Sequence, residues 1–267
     1  MASFTDKKLS AVYKDILHTS NSNTGLSTTI KQITCGDGDT SALYLSSQNL
    51  KAQPASDSTT NTAIYDADGN ALFTVNSTDD LVKAGIGQHT VNTQYARFAT
   101  SYVDVATSGF AAGYHYAIPF GLGDYGDVAA ANYILGNGAD PATSLTIEDT
   151  AMGYIRAYWY VIDNITLDAI HWFVGADAAT GDTVRCHLMA YDVVTTAGGT
   201  SGDLSNGAIH ASGADIVATS ARDAIYYQTV TPSTANVDAG KIILFTFEAD
   251  SVNSDYTINA TVKYHLR

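Results

Sequence analysis

Cysteine is nearly missing from this sequence: Cys35 and Cys186 are the only two, in distant segments. That excludes a disulfide framework, and both read as free, partly buried thiols. Basic side chains are few, 13 Lys and Arg against 27 Asp and Glu, for a formal net charge of −14. A phosphate backbone needs a basic surface, so nucleic acid is excluded as a partner of the acidic body. Lys and Glu, the usual formers of surface helices, are scarce, which points away from a helical body. No run of 18 apolar residues occurs, so no membrane-spanning helix and no membrane partner are expected. Met1 opens no signal peptide, which places synthesis in a cytoplasm. No G-x-S-x-G elbow is found, and no P-loop or G-x-G-x-x-G precedes a helical pattern. The glycines of Gly36-Asp37-Gly38 and Gly121-Leu122-Gly123 therefore read as turns.

What is present is a β composition. Thr, Ser, Ala, Gly, Asp and Asn dominate, and tyrosine is abundant, with 17 copies. A chain of 267 residues can bury a sizeable core in one or two domains. Charge is unevenly spread: residues 1–53 hold five lysines against four aspartates, so the acidic excess lies behind them. The near-neutral front is thus the segment expected to dock, and the acidic body the part that keeps a self-repelling exterior.

Residues 6–17 carry the one clear helical stripe. Leu9, Val12, Tyr13, Ile16 and Leu17 recur at helical spacing, and Asp6 suits the positive end. About three turns is marginal alone, so the stripe must pack on something. A polar linker, 18–28, leads to Thr28–Leu50. Two alternating runs there, 30–34 with Ile30 and Ile33 and 42–46 with Leu43 and Leu45, flank Cys35–Thr40, which is turn chemistry. A second hairpin, 62–75, turns at Ala67-Asp68-Gly69-Asn70. Asp66, Asp68 and Asn70 imitate a calcium loop, but the glycine falls out of place and position 77 is Ser rather than Glu, so a turn is the reading.

Strands are expected at 92–100 and 113–120. Residues 129–135 read as strand or short helix, and 144–147 as a short strand. Tyr154–Ile162 reads as a strand buried on both faces, joined by a tight turn at Asp163-Asn164 to 165–174. Residues 183–191 alternate, with Val184, Cys186, Leu188 and Ala190 inward. A Gly/Ser/Ala-rich loop is expected at 196–220, followed by strands 225–230, 241–247 and 256–266. In the last of these Ile258, Ala260, Val262 and Tyr264 face in. This spacing predicts an all-β fold: an N-terminal helix and β-hairpin arm over 1–90 (helix 6–17, hairpins 30–46 and 62–75), then an antiparallel jelly-roll-like β-sandwich over 91–267.

Three quoted stretches carry a resemblance: KKLSAVYKDIL at 7–17, DGDTSALYLSS at 37–47 and TAIYDADGNALFTV at 62–75. Together they resemble the opening of fibre and decoration proteins of tailed bacteriophages, of marine or cyanobacterial phage type. The resemblance implies a virion structural protein, commonly a homotrimer, that needs no catalytic residue, cofactor or metal. Its partners would be its own copies and other virion proteins, of the capsid or of the tail and fibre. Leu9, Val12, Tyr13, Ile16, Leu17, Ile30, Ile33, Leu43 and Leu45 are then expected at attachment or intersubunit contacts. Leu122, Asp124 and Tyr125 in one loop, and Asp203, Leu204 and His210 in another, are the receptor-facing positions.

Two other classes compete. A carbohydrate-binding tip that recognises a host-surface glycan would show part of the cluster Tyr154, Tyr158, Trp159, Tyr160, Trp172 and Phe173 facing outward, where core is the default. An enzyme acting on polysaccharide needs two carboxylates across a groove; Glu148–Asp149 and Glu248–Asp250 are the pairs on offer. His171 and His187 could form a metal pair if they lay on adjacent strands, although no spacing is a ligand motif and satisfied or exposed imidazoles are the default.

Overall fold

The computed structural model describes residues 17–19, 25–100, 111–121, 134–146, 156–177, 180–194, 202–250 and 255–267. These form 19 strands and, among the described residues, no α-helix. The helix expected at 6–17 lies outside the described residues except for Leu17, which is irregular and 71% exposed. The chain divides into two units, 1–91 and 92–267.

In the first unit, strands β1 (His18–Thr19), β2 (Lys31–Thr34), β3 (Thr40–Leu45) and β4 (Leu50–Ala52) form an antiparallel ribbon in chain order. Its central turn closes with Cys35 N–H donating to Asp39 O at 2.9 Å, and Gly38 sits at φ 88°, where glycine carries no Cβ penalty. Strands β5 (Thr62–Tyr65), β6 (Ala71–Asn76), β7 (Leu81–Ala84) and β8 (His89–Thr90) form a second such ribbon. Asp66 organises the β5–β6 turn. Its Oδ1 accepts the Asp68 and Asn70 amides at 3.0 and 2.7 Å, and its Oδ2 accepts Asn70 Nδ2 at 2.9 Å. These bonds, the one from the Asn70 side chain foremost, hold its carboxyl below the usual range. The calcium-like residues thus serve a turn. No described side chain of this unit is a buried hydrophobe; its buried residues are Ser46, Thr74 and Asn76.

The second unit adds β9 (Thr93–Ala99), β10 (Tyr116–Ile118), β11 (Trp159–Tyr160), β12 (Ile165–Ala176), β13 (Thr183–Val193), β14 (Leu204–Ser212), β15 (Ile216–Val217), β16 (Ala224–Val230), β17 (Asn236–Val237), β18 (Lys241–Ala249) and β19 (Tyr256–Leu266). One antiparallel sheet has the order β16-β12-β19-β9, with β17 beside β12. The other has the order β10-β18-β13-β14, with β11 on β18 and β15 on β13. Alternating side chains from both meet in one apolar core. Trp172 of β12 packs on Phe245 of β18 with ring centroids 5.4 Å apart, Phe98 of β9 on the same Phe245 at 5.8 Å, and Tyr256 of β19 on Phe247 at 5.3 Å.

Three expectations are corrected. Among the described residues of the aromatic run 154–162, the two-residue β11 is the strand formed, paired to β18 rather than to the following strand. The expected loop 196–220 contains β14 and β15, because β14 gains its ladder from β13 rather than from β-branched side chains of its own. Simple alternation would set Leu167, His171 and Phe173 on one face of β12, but the register shifts between Leu167 and Ala169, so Leu167 is buried while His171 and Phe173 point out.

Candidate functional site

The two sheets of the second unit differ on their outer sides. Over β10-β18-β13-β14 runs a strap, residues 134–146. Leu135 N–H donates to His115 O at 2.7 Å, Tyr191 Oη to Ala142 O at 2.8 Å, and Gly207 N–H to Thr143 O at 2.8 Å. Leu145 and Leu204 exchange amide bonds at 2.9 and 2.8 Å. The strap therefore crosses from the β10 edge to the β14 edge, and Met189, Tyr191 and Leu244 are buried although alternation turns them away from the facing sheet.

Two imidazoles are also sealed under it. His115 and His187 are fully buried, with ring centroids 5.1 Å apart. His115 Nε2 donates to Gly138 O at 2.9 Å and lies 3.7 Å from Glu248 Oε2. His187 Nε2 is 3.7 Å from Asp140 Oδ1, beyond hydrogen-bond range, and neither of its ring nitrogens has a hydrogen-bond partner. Burial, then the neighbouring His115, pushes the His187 pKa down to about 4. The expectation of a satisfied or exposed imidazole fails for His187. His171 lies in the other sheet, on β12, and bonds Thr229 Oγ1 at 2.9 Å, so the two are not on adjacent strands and cannot share a metal. Among the described residues no group of three or more His, Cys, Asp or Glu could hold a metal ion.

Beside this pair, Thr183, Arg185, Asp215, Glu248 and Asp250 line a small polar cleft of about 210 Å³. Arg185 grips Asp215 in two bonds of 2.6 and 3.0 Å, which hold its own pKa up and that of Asp215 down. Asp250 accepts the Thr183 amide at 2.6 Å. These carboxylates are engaged in holding the sheet end. The pair Glu148–Asp149 lies outside the described residues. Cys186 is a free buried thiol whose pKa burial pushes up, and Cys35 is free and half-buried.

Among the described residues of this unit no strap lies over the other sheet. Cross-strand register lays out its outer side row by row. Ile225, Gly175 and Thr257 form one row. Tyr227, Phe173 and Asn259 form the next, and Thr229, His171, Thr261 and Arg97 the third. Phe173 is 48% exposed, Tyr227 75% and Ile225 74%. The Phe173 and Tyr227 rings stand 6.1 Å apart and tilted by 39°. Arg97 Nε donates to Asn259 Oδ1 at 3.2 Å. At one end of this face opens a cleft of about 820 Å³. Phe173, Gly175, Ala176, Ala224 and Ile225 form its apolar lining, and Asp177, Asp223, Asp255, Thr257 and Asn259 the polar part. This face is the candidate functional site.

The positions singled out in the sequence fare unevenly. Leu9, Val12, Tyr13, Ile16, Leu122, Asp124 and Tyr125 lie outside the described residues. Ile30, Ile33 and Leu45 are half-buried, and Leu43 is exposed. Asp203, Leu204 and His210 are corrected: all are buried, Leu204 and His210 within β14, so they face no receptor. His210 Nδ1 donates to Thr234 O at 2.8 Å, and burial lowers its pKa. Of the aromatic cluster, Trp159 and Trp172 are core, whereas Tyr160 and Phe173 face out; Tyr154 lies outside the described residues. Ile225 and Tyr227 were missed, although the alternation of AIYYQTV over 224–230 sets them on one side. Among the described residues no helix is long and apolar enough to cross a membrane. In comparison with known proteins, no family model and no curated sequence matches this chain.

Proposed function

We propose that this chain is a structural protein of a tailed-bacteriophage virion, a homotrimeric capsid-decoration or short head- or tail-fibre subunit. Its front third joins sister copies and a neighbouring virion protein. Its remaining two thirds are a jelly-roll sandwich displayed on the particle, and the role requires no catalytic group, cofactor or metal. One observation carries the reading. Residues 1–91 form two thin antiparallel ribbons with no fully buried hydrophobe among the described residues. Ribbons of this kind are marginal without a hydrophobic side to cover, and their open edges invite pairing. Leu26, Leu43, Leu50, Ile64, Leu72 and Ile86 are all exposed there. Three identical copies around an axis cover such faces together.

The jelly roll is supported by the nesting of strand pairs. Taking the eight principal strands of the second unit in chain order, first pairs with last (β9 with β19), second with seventh (β10 with β18), third with sixth (β12 with β16) and fourth with fifth (β13 with β14). Rolling one long hairpin into two facing sheets generates this nesting, and jelly rolls recur in capsid and lectin domains. The likeness of 7–17, 37–47 and 62–75 to phage fibre and decoration proteins agrees with it. Light scattering on the full chain tests the proposal. The expected mass is three times the 28.2 kDa of one chain, and a monomer at micromolar concentration would sink it. Labelled antibody on phage particles then locates the subunit on head or tail.

A further inference from the structure

We infer that the outer face of β16-β12-β19-β9 binds a neutral oligosaccharide, with the exposed Phe173 and Tyr227 as the stacking platform and the adjoining cleft as the seat of a sugar ring. The inference goes beyond the architectural reading and does not depend on it. A pyranose has two chemically distinct surfaces: C–H groups on its flat sides and hydroxyls around its edge. A site for it needs a flat apolar floor with acceptors and donors in the plane of the ring.

That combination is what the register assembles. Phe173 and Tyr227 are cross-strand neighbours on β12 and β16, and Ile225 extends them toward the cleft. On the other side of Phe173 sits Asn259, an amide held by Arg97. Asp177, Asp223 and Asp255 line the cleft and bring carboxylate acceptors to it, Asp177 Oδ1 already accepting the Asp255 amide at 3.0 Å. Its volume, about 820 Å³, is within the range of small-molecule sites, about 300–1,000 Å³.

Charge selects among occupants. Three carboxylates at the rim and a net charge of −14 repel sialylated or sulfated saccharides. A second copy seated on this face about a two-fold axis along the strands would bring the same three carboxylates against themselves, which disfavours that self-association. The facing sheet supplies an internal contrast: its outer side carries its own cover, residues 134–146, while this side leaves two aromatic rings in water.

The test presents the full chain to an array of neutral hexose and N-acetylhexosamine oligosaccharides alongside sialylated and sulfated ones. Affinities of the hits are measured by calorimetry, and light scattering is run on the same samples. Neutral glycans should bind. Phe173→Ala and Tyr227→Ala should each weaken binding about tenfold and leave the fold intact, Tyr227→Ala with little change in the thermal midpoint because its ring is largely exposed and Phe173→Ala with a small drop because its ring is about half buried. Asp223→Asn should weaken it as well. Retention of no neutral glycan overturns the inference, as does a preference for anionic ones or wild-type affinity in both aromatic variants. Disassembly of the oligomer by Phe173→Ala also overturns it, since the face would then be a joint between copies. A trimer that binds no glycan removes this inference alone; a glycan-binding monomer removes only the architectural reading.

Discussion

At the scale of single residues, His187 is the most consequential group. Its side chain is buried beside His115, Asp140 and Arg185, with Asp215 just beyond, and its pKa is held near 4 against an ordinary value of 6.5. The folded state therefore binds fewer protons than the unfolded state between those values. The stability from keeping the ring neutral is complete above pH 6.5 and is lost as the pH falls toward 4, to a limit of about 3 kcal/mol. Urea melts from pH 7 to 4.5 should show a falling midpoint. In His187→Gln most of that slope should vanish, with His210, also lowered by burial, leaving the remainder. An unchanged slope would mean that the ring is solvated when folded. None of this was legible beforehand. The alternation of 183–191 correctly turned His187 away from the inward set, but only the strap, forty residues earlier in the chain, decides that away from the core is still out of water.

At the scale of elements, that strap is held by close approach. A methyl group at Gly207 would meet the Tyr191 ring and lie 2.9 Å from Thr143 Cα, a backbone atom that cannot step aside. Gly207→Ala should therefore destabilise the second unit by about 1–3 kcal/mol. Amide hydrogen exchange should quicken first at Leu145 and Leu204, which bond each other next to it. Wild-type exchange at both amides would show that the strap yields without effort. The same element explains what the sequence hid. β14 reads LSNGAIHAS, with almost no strand propensity of its own, and is ordered by its ladder to β13 and by the strap along its edge. Elements whose own alternation is strong, β16 and β19 among them, needed no such help, and the two front hairpins were announced by their turn residues. The run at 154–162 failed in the opposite direction: Trp159 is buried because it stacks against Phe120 and Tyr264, not because it belongs to a long strand. The bulge in β12 left no trace in composition, yet it aims Phe173 outward and so determines where the candidate site lies.

At the scale of the whole molecule, the units are unequal. Every buried hydrophobe among the described residues lies at or beyond Ala96. A fragment of residues 92–267 should accordingly fold, melt cooperatively and run as a monomer, whereas 1–91 alone should give little protection in hydrogen exchange. Oligomerisation of the back fragment by itself would move the self-association surface out of the front unit. The turn-rich hairpins end by residue 90, whereas the long alternating runs begin only with β12 at Ile165. The exposed platform was only half readable: Phe173 stood out in the aromatic cluster, but its partners Tyr227 and Ile225 come from a strand more than fifty residues away.

The pairing of β9 with β19 has a practical corollary. Thr93 lies opposite His265, and Asn92 Nδ2 donates to Leu266 O at 2.5 Å, so the back unit begins and finishes at one pole of its sheet. The cleft around Asp177, Asp223 and Asp255 opens at the other pole, about 30 Å away along the eleven residues of β19. A fluorescent label or immobilisation tag spliced on after Arg267 would therefore sit at the opposite end of this sheet from the cleft.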